Sequence, residues 1–143
     1  MGVAEAYHHC FCFFLEGNLI TWCSKKQTTV VTSTTVAEYF ALYKASTETI
    51  CLRNLLSDLG LPQASATVLR EDNQTAIKLA EDETSHKHTK HIDVKYHYTK
   101  EQQDLGKLVI KYVASEDNLA DFFTKALTRP QHQAMCKQLG LYP

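Results

Sequence analysis

An excess of charge of either sign is missing from this sequence: fifteen Lys and Arg stand against sixteen Asp and Glu over 143 residues, a formal net charge of −1. That excludes a global field drawing the chain to nucleic acid or to anionic membrane, so any such binding rests on a local patch. Long hydrophobic runs are missing too. The apolar stretch at residues 10–15 is far too short to span a bilayer, and no basic region or small-residue cleavage site frames it as a signal peptide. The expectation is a soluble intracellular protein, cytoplasmic or nuclear, not secreted. Cys10, Cys12, Cys23, Cys51 and Cys136 form no CxxC or Cys/His zinc pattern and are odd in number. They read as reduced thiols packed as small buried hydrophobes. Repeats, low-complexity tracts and linkers are also absent, which leaves residues 1–143 as one expected domain.

What is present is the composition of an ordinary globular chain, 44% apolar and 22% charged. At this length about 70% of the unfolded surface can be buried. Phe11, Cys12, Phe13, Phe14 and Leu15 are β-prone, stop at Glu16, Gly17 and Asn18, and resume at Leu19, Ile20, Thr21 and Trp22: a hairpin, whose second arm extends over residues 25–32. Ser33, Thr34 and Thr35 offer a helix N-cap. Residues 36–59 contain no Gly or Pro, and Ala37, Ala41, Ile50, Leu52, Leu55, Leu56 and Leu59 recur at helical steps, so the spacing predicts a long amphipathic helix. Gly60 and Pro62 end it.

Thr67, Val68, Leu69 and Arg70 read as a short strand feeding a helix over residues 74–80, an α/β signature. A third helix is expected over residues 92–105, ending at Gly106, then a strand over residues 108–113 and a helix over residues 118–127. Arg129 and Pro130 are expected to break that helix, leaving a short helical tail at residues 131–139 closed by Gly140.

Acidic residues at Glu38, Asp72 and Asp121 each fall near an element edge. Carboxylates gathered at one end of a sheet are what a two-metal phosphodiester hydrolase needs, with two hard cations about 4 Å apart bridged by carboxylate oxygens. Spacing alone is a weak pointer. The local wording is stronger: "ITWCSKKQTTVVTSTTVAEYFALYKAS", "LRNLLSDLGLP", "EDNQTAIKLAED", "HTKHIDVKYHYTKE" and "YVASEDNLADFFTKAL" resemble, in order and at matching separations, signatures of the ribonuclease H domain of copia-type LTR retrotransposon Pol polyproteins.

The resemblance implies an α/β fold: a ribonuclease H-like mixed sheet of five strands with helices on both faces. It implies Mg²⁺-dependent endonucleolytic cleavage of the RNA strand in RNA/DNA hybrids, with two Mg²⁺ ions and Mn²⁺ as a substitute. By motif, Glu38 in "VAEYFAL", Asp72 in "EDNQTAI" and Asp121 in "NLADFFTK" take the places of three of the family's four metal-binding carboxylates. Asp121 then holds the ion that activates water, and Glu38 and Asp72 the ion at the leaving oxygen.

The match departs from the family at the start. A "DADWAG"-like strand, central in the sheet and bearing the aspartate that bridges both ions, normally precedes the hairpin; here no Asp occurs before Asp58, and residues 1–9 read as a degenerate N-terminal segment. Glu5 falls in the connection after that strand. The expectation is hydrolysis reduced by orders of magnitude or lost. Both neighbours of the absent strand are left with unpaired backbone. Three repairs are open: the hairpin closing directly on the fourth strand, residues 3–9 pairing as a makeshift strand, or a strand from the reverse transcriptase part of a polyprotein or from a second copy. An inactive nucleic-acid-binding or protein-interaction module, or an element remnant, is the alternative. Val36 replaces a second family glutamate, and Glu71 stands where an apolar residue or Cys is common; neither is assigned a ligand role.

His86, His88, His91 and His97 cluster with Lys87, Lys90 and Lys95, but their spacing fits no zinc motif. They read as a solvated helix entry or as a phosphate-contacting patch. The expected nucleic-acid contacts are Lys25, Lys26, Gln27, Asn73, Lys90 and His91. Trp22 is assigned to the core.

Overall fold

The computed structural model describes residues 8–26, 33–81 and 90–141. Its order is β1 (His8–Leu15), β2 (Asn18–Lys26), α1 (Thr34–Asp58), β3 (Thr67–Glu71), α2 (Gln74–Glu81), α3 (Lys90–Asp104), β4 (Leu108–Tyr112), two 3₁₀ turns (Ser115–Asp117 and Leu119–Phe123) and α4 (Arg129–Gln138). This is a mixed α/β chain.

β1 and β2 form the expected hairpin, pairing antiparallel from His8 with Lys26 to Leu15 with Asn18. Its two-residue turn carries positive φ at both Glu16 (49°) and Gly17 (77°). A turn with both central residues in that region matches the right-handed twist of the arms it joins. The expected extension of the second arm beyond Lys26 lies outside the described residues.

Helix α1 starts where the sequence says, because the Ser33 hydroxyl accepts the Val36 N–H at 3.3 Å. At its other end Gly60 (φ 79°) donates to Ser57 O, and Leu61 donates to Leu56 O. That doubled bond satisfies carbonyls the helix leaves over. The buried stripe differs from the expected one. It comprises Ala37, Tyr39, Ala41, Leu42, Ala45, Ser46 and Thr49, whereas Leu55 and Leu59 are exposed. The last turns lie beyond the core. Ser46 and Thr49 tolerate burial because each hydroxyl donates to a carbonyl one turn back, Leu42 O and Ala45 O, both at 2.8 Å.

β3 and β4 run parallel from Thr67 beside Leu108 to Glu71 beside Tyr112. Parallel neighbours require a crossover, here supplied by the segment carrying α2 and α3. Arg53 anchors the approach to β3, donating to Gln63 O (2.7 Å), Ser65 O (2.8 Å) and Thr67 Oγ1 (3.0 Å). The core joins Phe13, Tyr39, Leu42, Leu69, Ala80, Tyr96, Leu108 and Ile110 from both strand pairs and three helices.

Among the described residues the strands make two two-stranded sheets, β1–β2 and β3–β4, not one continuous sheet. α1 packs against a strand of each.

Three further expectations are corrected. Residues 118–127 form no α-helix. Asp121 N–H bonds to Asn118 O and Thr124 N–H to Asp121 O, the tighter 3₁₀ spacing. The Ser24 hydroxyl donates to Phe123 O at 3.0 Å, engaging a carbonyl that a continuing α-helix would use. Pro130 opens α4 instead of only ending what precedes it; Thr128 N–H and Oγ1 both donate to Gln131 Oε1, at 3.1 and 2.9 Å. The cysteines are free, but none is fully buried: Cys51 is exposed and the other four are half-buried.

Candidate functional site

A cleft of about 360 Å³ separates β1 from β3, with one face of α1 as its floor. Glu38 enters it from the first turns of α1, Asp72 from the residue after β3, and Asp121 from the second 3₁₀ turn. The three carboxylates picked out by sequence thus converge on one cleft. Burial raises the pKa of Glu38, and the negative charges of Asp72 and then Asp121 push it further.

Asp121 is held from several sides. The Asn118 side chain accepts from Ala120 N–H at 3.2 Å, capping the turn, and Lys125 Nζ donates to Asp121 Oδ2 at 2.6 Å. The hydrogen bond and charge of Asp121 raise the pKa of the fully exposed Lys125. Two residues on, Phe123 stacks on Trp22 with ring centroids 5.6 Å apart and planes 6° apart. Trp22 is 58% exposed, which corrects its assignment to the core: its ring lies over the turn carrying Asp121.

Sequence reasoning missed Glu71. Leu69 and Glu71 are the two buried residues of β3, on the same face of the strand. Burial drives the Glu71 carboxyl up to about 7, Asn73 N–H opposes by donating to Oε1 at 3.0 Å, and the charges of Glu38 and Asp72 add to the rise. The signal was available in the two-residue alternation of the strand, which puts Glu71 in register with buried Leu69. The Cys10 and Cys12 thiols also line the cleft; burial raises both, Cys12 to about 11, so neither is a thiolate at neutral pH.

Beside the carboxylates lies a second, shallower groove between the hairpin and α1, lined among others by His9, Lys25, Lys26, Lys44 and Glu48. In the hairpin register Cys10 pairs with Ser24 and His9 with Lys25, so the groove begins one step from the acidic end of the cleft. Lys25 and Lys26 are exposed there, as a phosphate contact requires. Gln27 lies outside the described residues. Asn73 caps α2, its Oδ1 accepting from Thr75 and Ala76 N–H at 3.0 Å each, so that oxygen has a structural duty. Lys90 and His91 are in the first turn of α3; their side chains lie outside the described residues, as do His86 and His88.

Hard divalent cations suit an all-oxygen donor set such as Glu38, Asp72 and Asp121. The arrangement does not fit one. Among the described residues no three His, Cys, Asp or Glu side chains are grouped closely enough to hold a metal ion, and Asp121 Oδ2 is taken by Lys125. Among the same residues no helix is long and apolar enough to cross a membrane.

No family model matches the chain. Over 129 residues, 90% of its length, it is 39% identical to the retrovirus-related Pol polyprotein from transposon TNT 1-94 of Nicotiana tabacum. Over 128 residues it is 35% identical to the retrovirus-related Pol polyproteins from transposons RE2 and RE1 of Arabidopsis thaliana. The chain spans about a tenth of the length of these relatives, 10% of the first and 9% of each of the others. It is therefore similar, along nearly all its length, to one region of plant-transposon Pol polyproteins.

Proposed function

We propose that this chain, with its likeness to one region of transposon Pol polyproteins, is a ribonuclease H-like domain that holds RNA/DNA hybrid but has lost most or all hydrolysis. The observation that carries the reading is the convergence of Glu38, Asp72 and Asp121, from three separate elements, on one cleft beside a basic groove. A groove with Lys25, Lys26 and Lys44 suits a phosphate backbone, and a polyanion approaching through it meets the carboxylates next.

The chemistry is where the reading turns negative. A two-metal cleavage requires cations held between carboxylate oxygens at fixed distance; among the described residues no three His, Cys, Asp or Glu side chains are grouped as such a centre needs, and Lys125 pairs with Asp121 Oδ2. Binding is retained because it needs only the groove. The open cleft favours a second role, attachment to another polypeptide.

The test is binding and hydrolysis of one labelled RNA/DNA hybrid, in Mg²⁺ and in Mn²⁺, with Asp72→Asn as the control for contaminating nuclease. Salt-sensitive binding with no cleavage is the expected outcome. Cleavage that Asp72→Asn abolishes would show that the carboxylates assemble a working centre on substrate and overturn the loss of chemistry. Failure of the folded protein to bind hybrid at low salt would overturn the nucleic-acid reading.

A further inference from the structure

Helix α4 carries two side chains of metal-ligand type one turn apart. His132 and Cys136 are four residues apart, which puts both on one stripe of the helix. The Cys136 sulfur lies 3.7 Å from His132 Nδ1 and 3.8 Å from Nε2. An ion bound tetrahedrally at about 2.3 Å from sulfur and about 2.0–2.1 Å from nitrogen holds those two atoms about 3.5–3.6 Å apart. The side chains already stand at nearly that separation. The sulfur is almost equidistant from the two nitrogens, and a turn of the imidazole about its soft terminal torsion directs either lone pair at a shared ion.

The helix beneath the pair is well fixed. Thr128 and Gln131 close its first turn, His132 N–H donates to Thr128 O at 2.9 Å, and Met135 and Leu139 are buried at 8% and 2% exposure. Donors placed on a packed helix hold their geometry better than donors on a loop. His132 is exposed and Cys136 half-buried, so solvent reaches both. Beyond them, nothing lies within 4 Å of the point where a side chain on Gly140 would begin, which leaves the helix end open. Cys136 stands in the last turn, where the helix dipole presents negative partial charge and favours a cation. Arg129, three residues before His132, and Lys137, next to Cys136, are both exposed, so solvent and salt screen their repulsion.

We propose that His132 and Cys136 form a chelating site for a borderline or soft divalent cation, zinc foremost. Sulfur and imidazole nitrogen suit zinc and do not suit magnesium, the reverse of the all-oxygen cleft. On binding, the thiol proton passes to solvent, the sulfur coordinates as thiolate, and the neutral imidazole coordinates through one nitrogen. Among the described residues no third His, Cys, Asp or Glu joins the pair, so water fills the remaining two positions of a tetrahedral ion. No residue of α4 lines the carboxylate cleft, and the inference is independent of hybrid binding.

The test uses the full chain, reduced and freed of metal, with Co²⁺ and then Zn²⁺ as probes. Co²⁺ should give the ultraviolet thiolate charge-transfer band that oxygen donors cannot give, and Zn²⁺ should displace it at one ion per chain. Excess Mg²⁺ should leave the band intact. Cys136→Ser should abolish it, and His132→Gln should weaken Co²⁺ affinity roughly tenfold or more, as the loss of one of two donors entails. The exposed position of His132 should leave the circular dichroism of that variant unchanged. In the unsubstituted chain Zn²⁺ should slow alkylation of Cys136 by iodoacetamide and spare the exposed Cys51, a readout that needs no variant. Absence of the band, its survival in Cys136→Ser, its loss to Mg²⁺, or equal slowing at both cysteines would overturn the site. Undiminished affinity in His132→Gln would overturn the chelate and leave a single thiol. One ion per two chains, with a doubled mass by light scattering, would mean that a second copy fills the open positions and would overturn the single-chain site.

Discussion

The two strand pairs are built from similar β-prone residues yet have different environments. β3 and β4 bury Leu69, Glu71, Leu108 and Ile110 beneath helices, whereas β2 alternates between half-buried and exposed residues and leaves Ile20 and Trp22 largely in solvent. The parallel pair is enclosed because its crossover lays helical chain over it. The hairpin has no crossover, and among the described residues its main cover is α1 and the second 3₁₀ turn. Stability is concentrated in the first pair. The contacts offered to a ligand, the lysines and the exposed ring, are concentrated in the second, and the carboxylates lie on the seam.

The largest expected effect breaks the enclosed pair. Leu108 is 1% exposed, and Leu108→Ala should destabilise by about 2–5 kcal/mol through lost burial and the cavity left behind. Ile20, 44% exposed in the hairpin, should cost under about 1 kcal/mol when cut to alanine. Urea unfolding of the two variants checks the contrast; equal losses would mean the hairpin is as enclosed as its partner.

The next effect is at the seam. Glu71 has its folded pKa raised to about 7 from 4.5, so between those values the native state binds more protons than the unfolded one. The contribution to stability is complete below about pH 4.5 and is lost as pH rises through 7. Glu71→Gln keeps an oxygen for Asn73 N–H while removing the charge. The variant should match the parent near pH 5 and exceed it at pH 8 by on the order of 2 kcal/mol. A difference independent of pH, measured by urea unfolding at both values, would show that Glu71 titrates normally.

These regions also differ in how much of them could be read from sequence. Local signals are read well: the Glu16–Gly17 turn, the Ser33 cap, the Gly60 stop and the entry of β3 into α2 are each set by residues adjacent in the chain. Glu38, Asp72 and Asp121 could be named from motif resemblance, but their gathering on one cleft is a tertiary fact. What escaped depended on partners far away in sequence. Phe123 is drawn into a 3₁₀ turn by Trp22 and Ser24, about a hundred residues earlier, with the Ser24 bond spanning 99 positions. Trp22 looked like core because a lone tryptophan in a strand usually is, and only the lack of a covering layer exposes it. The division of the sheet was anticipated only as two unpaired neighbours, and its consequence, an open cleft floored by α1, needed the packing.

A smaller effect is expected where hairpin and seam meet. Trp22→Ala removes a stack worth about 0.5–1.5 kcal/mol, discounted here by exposure. The loss should be local, because Phe123 and the Asp121 turn lean on that ring while the β3–β4 core does not. Amide exchange should therefore quicken roughly fivefold at residues 121–124 and stay unchanged in β4, as about 1 kcal/mol of local opening implies. A uniform increase would show that the hairpin is coupled to the whole fold.

The smallest effect on stability should accompany a distinct effect on binding. Lys25 and Lys26 are exposed on the outer end of β2, so replacing both with alanine should change unfolding by under about 0.5 kcal/mol. Each phosphate that a lysine neutralises releases counterions, and losing two should flatten the logarithmic salt dependence of hybrid affinity by about 1.4–1.8. Affinity should fall similarly for hybrids of different sequence, since charge reads the backbone and not the bases. An unchanged slope would place the polyanion elsewhere, with the Lys90 and His91 end of α3 as the next surface to substitute, and would make the groove beside the carboxylates an ordinary solvated face.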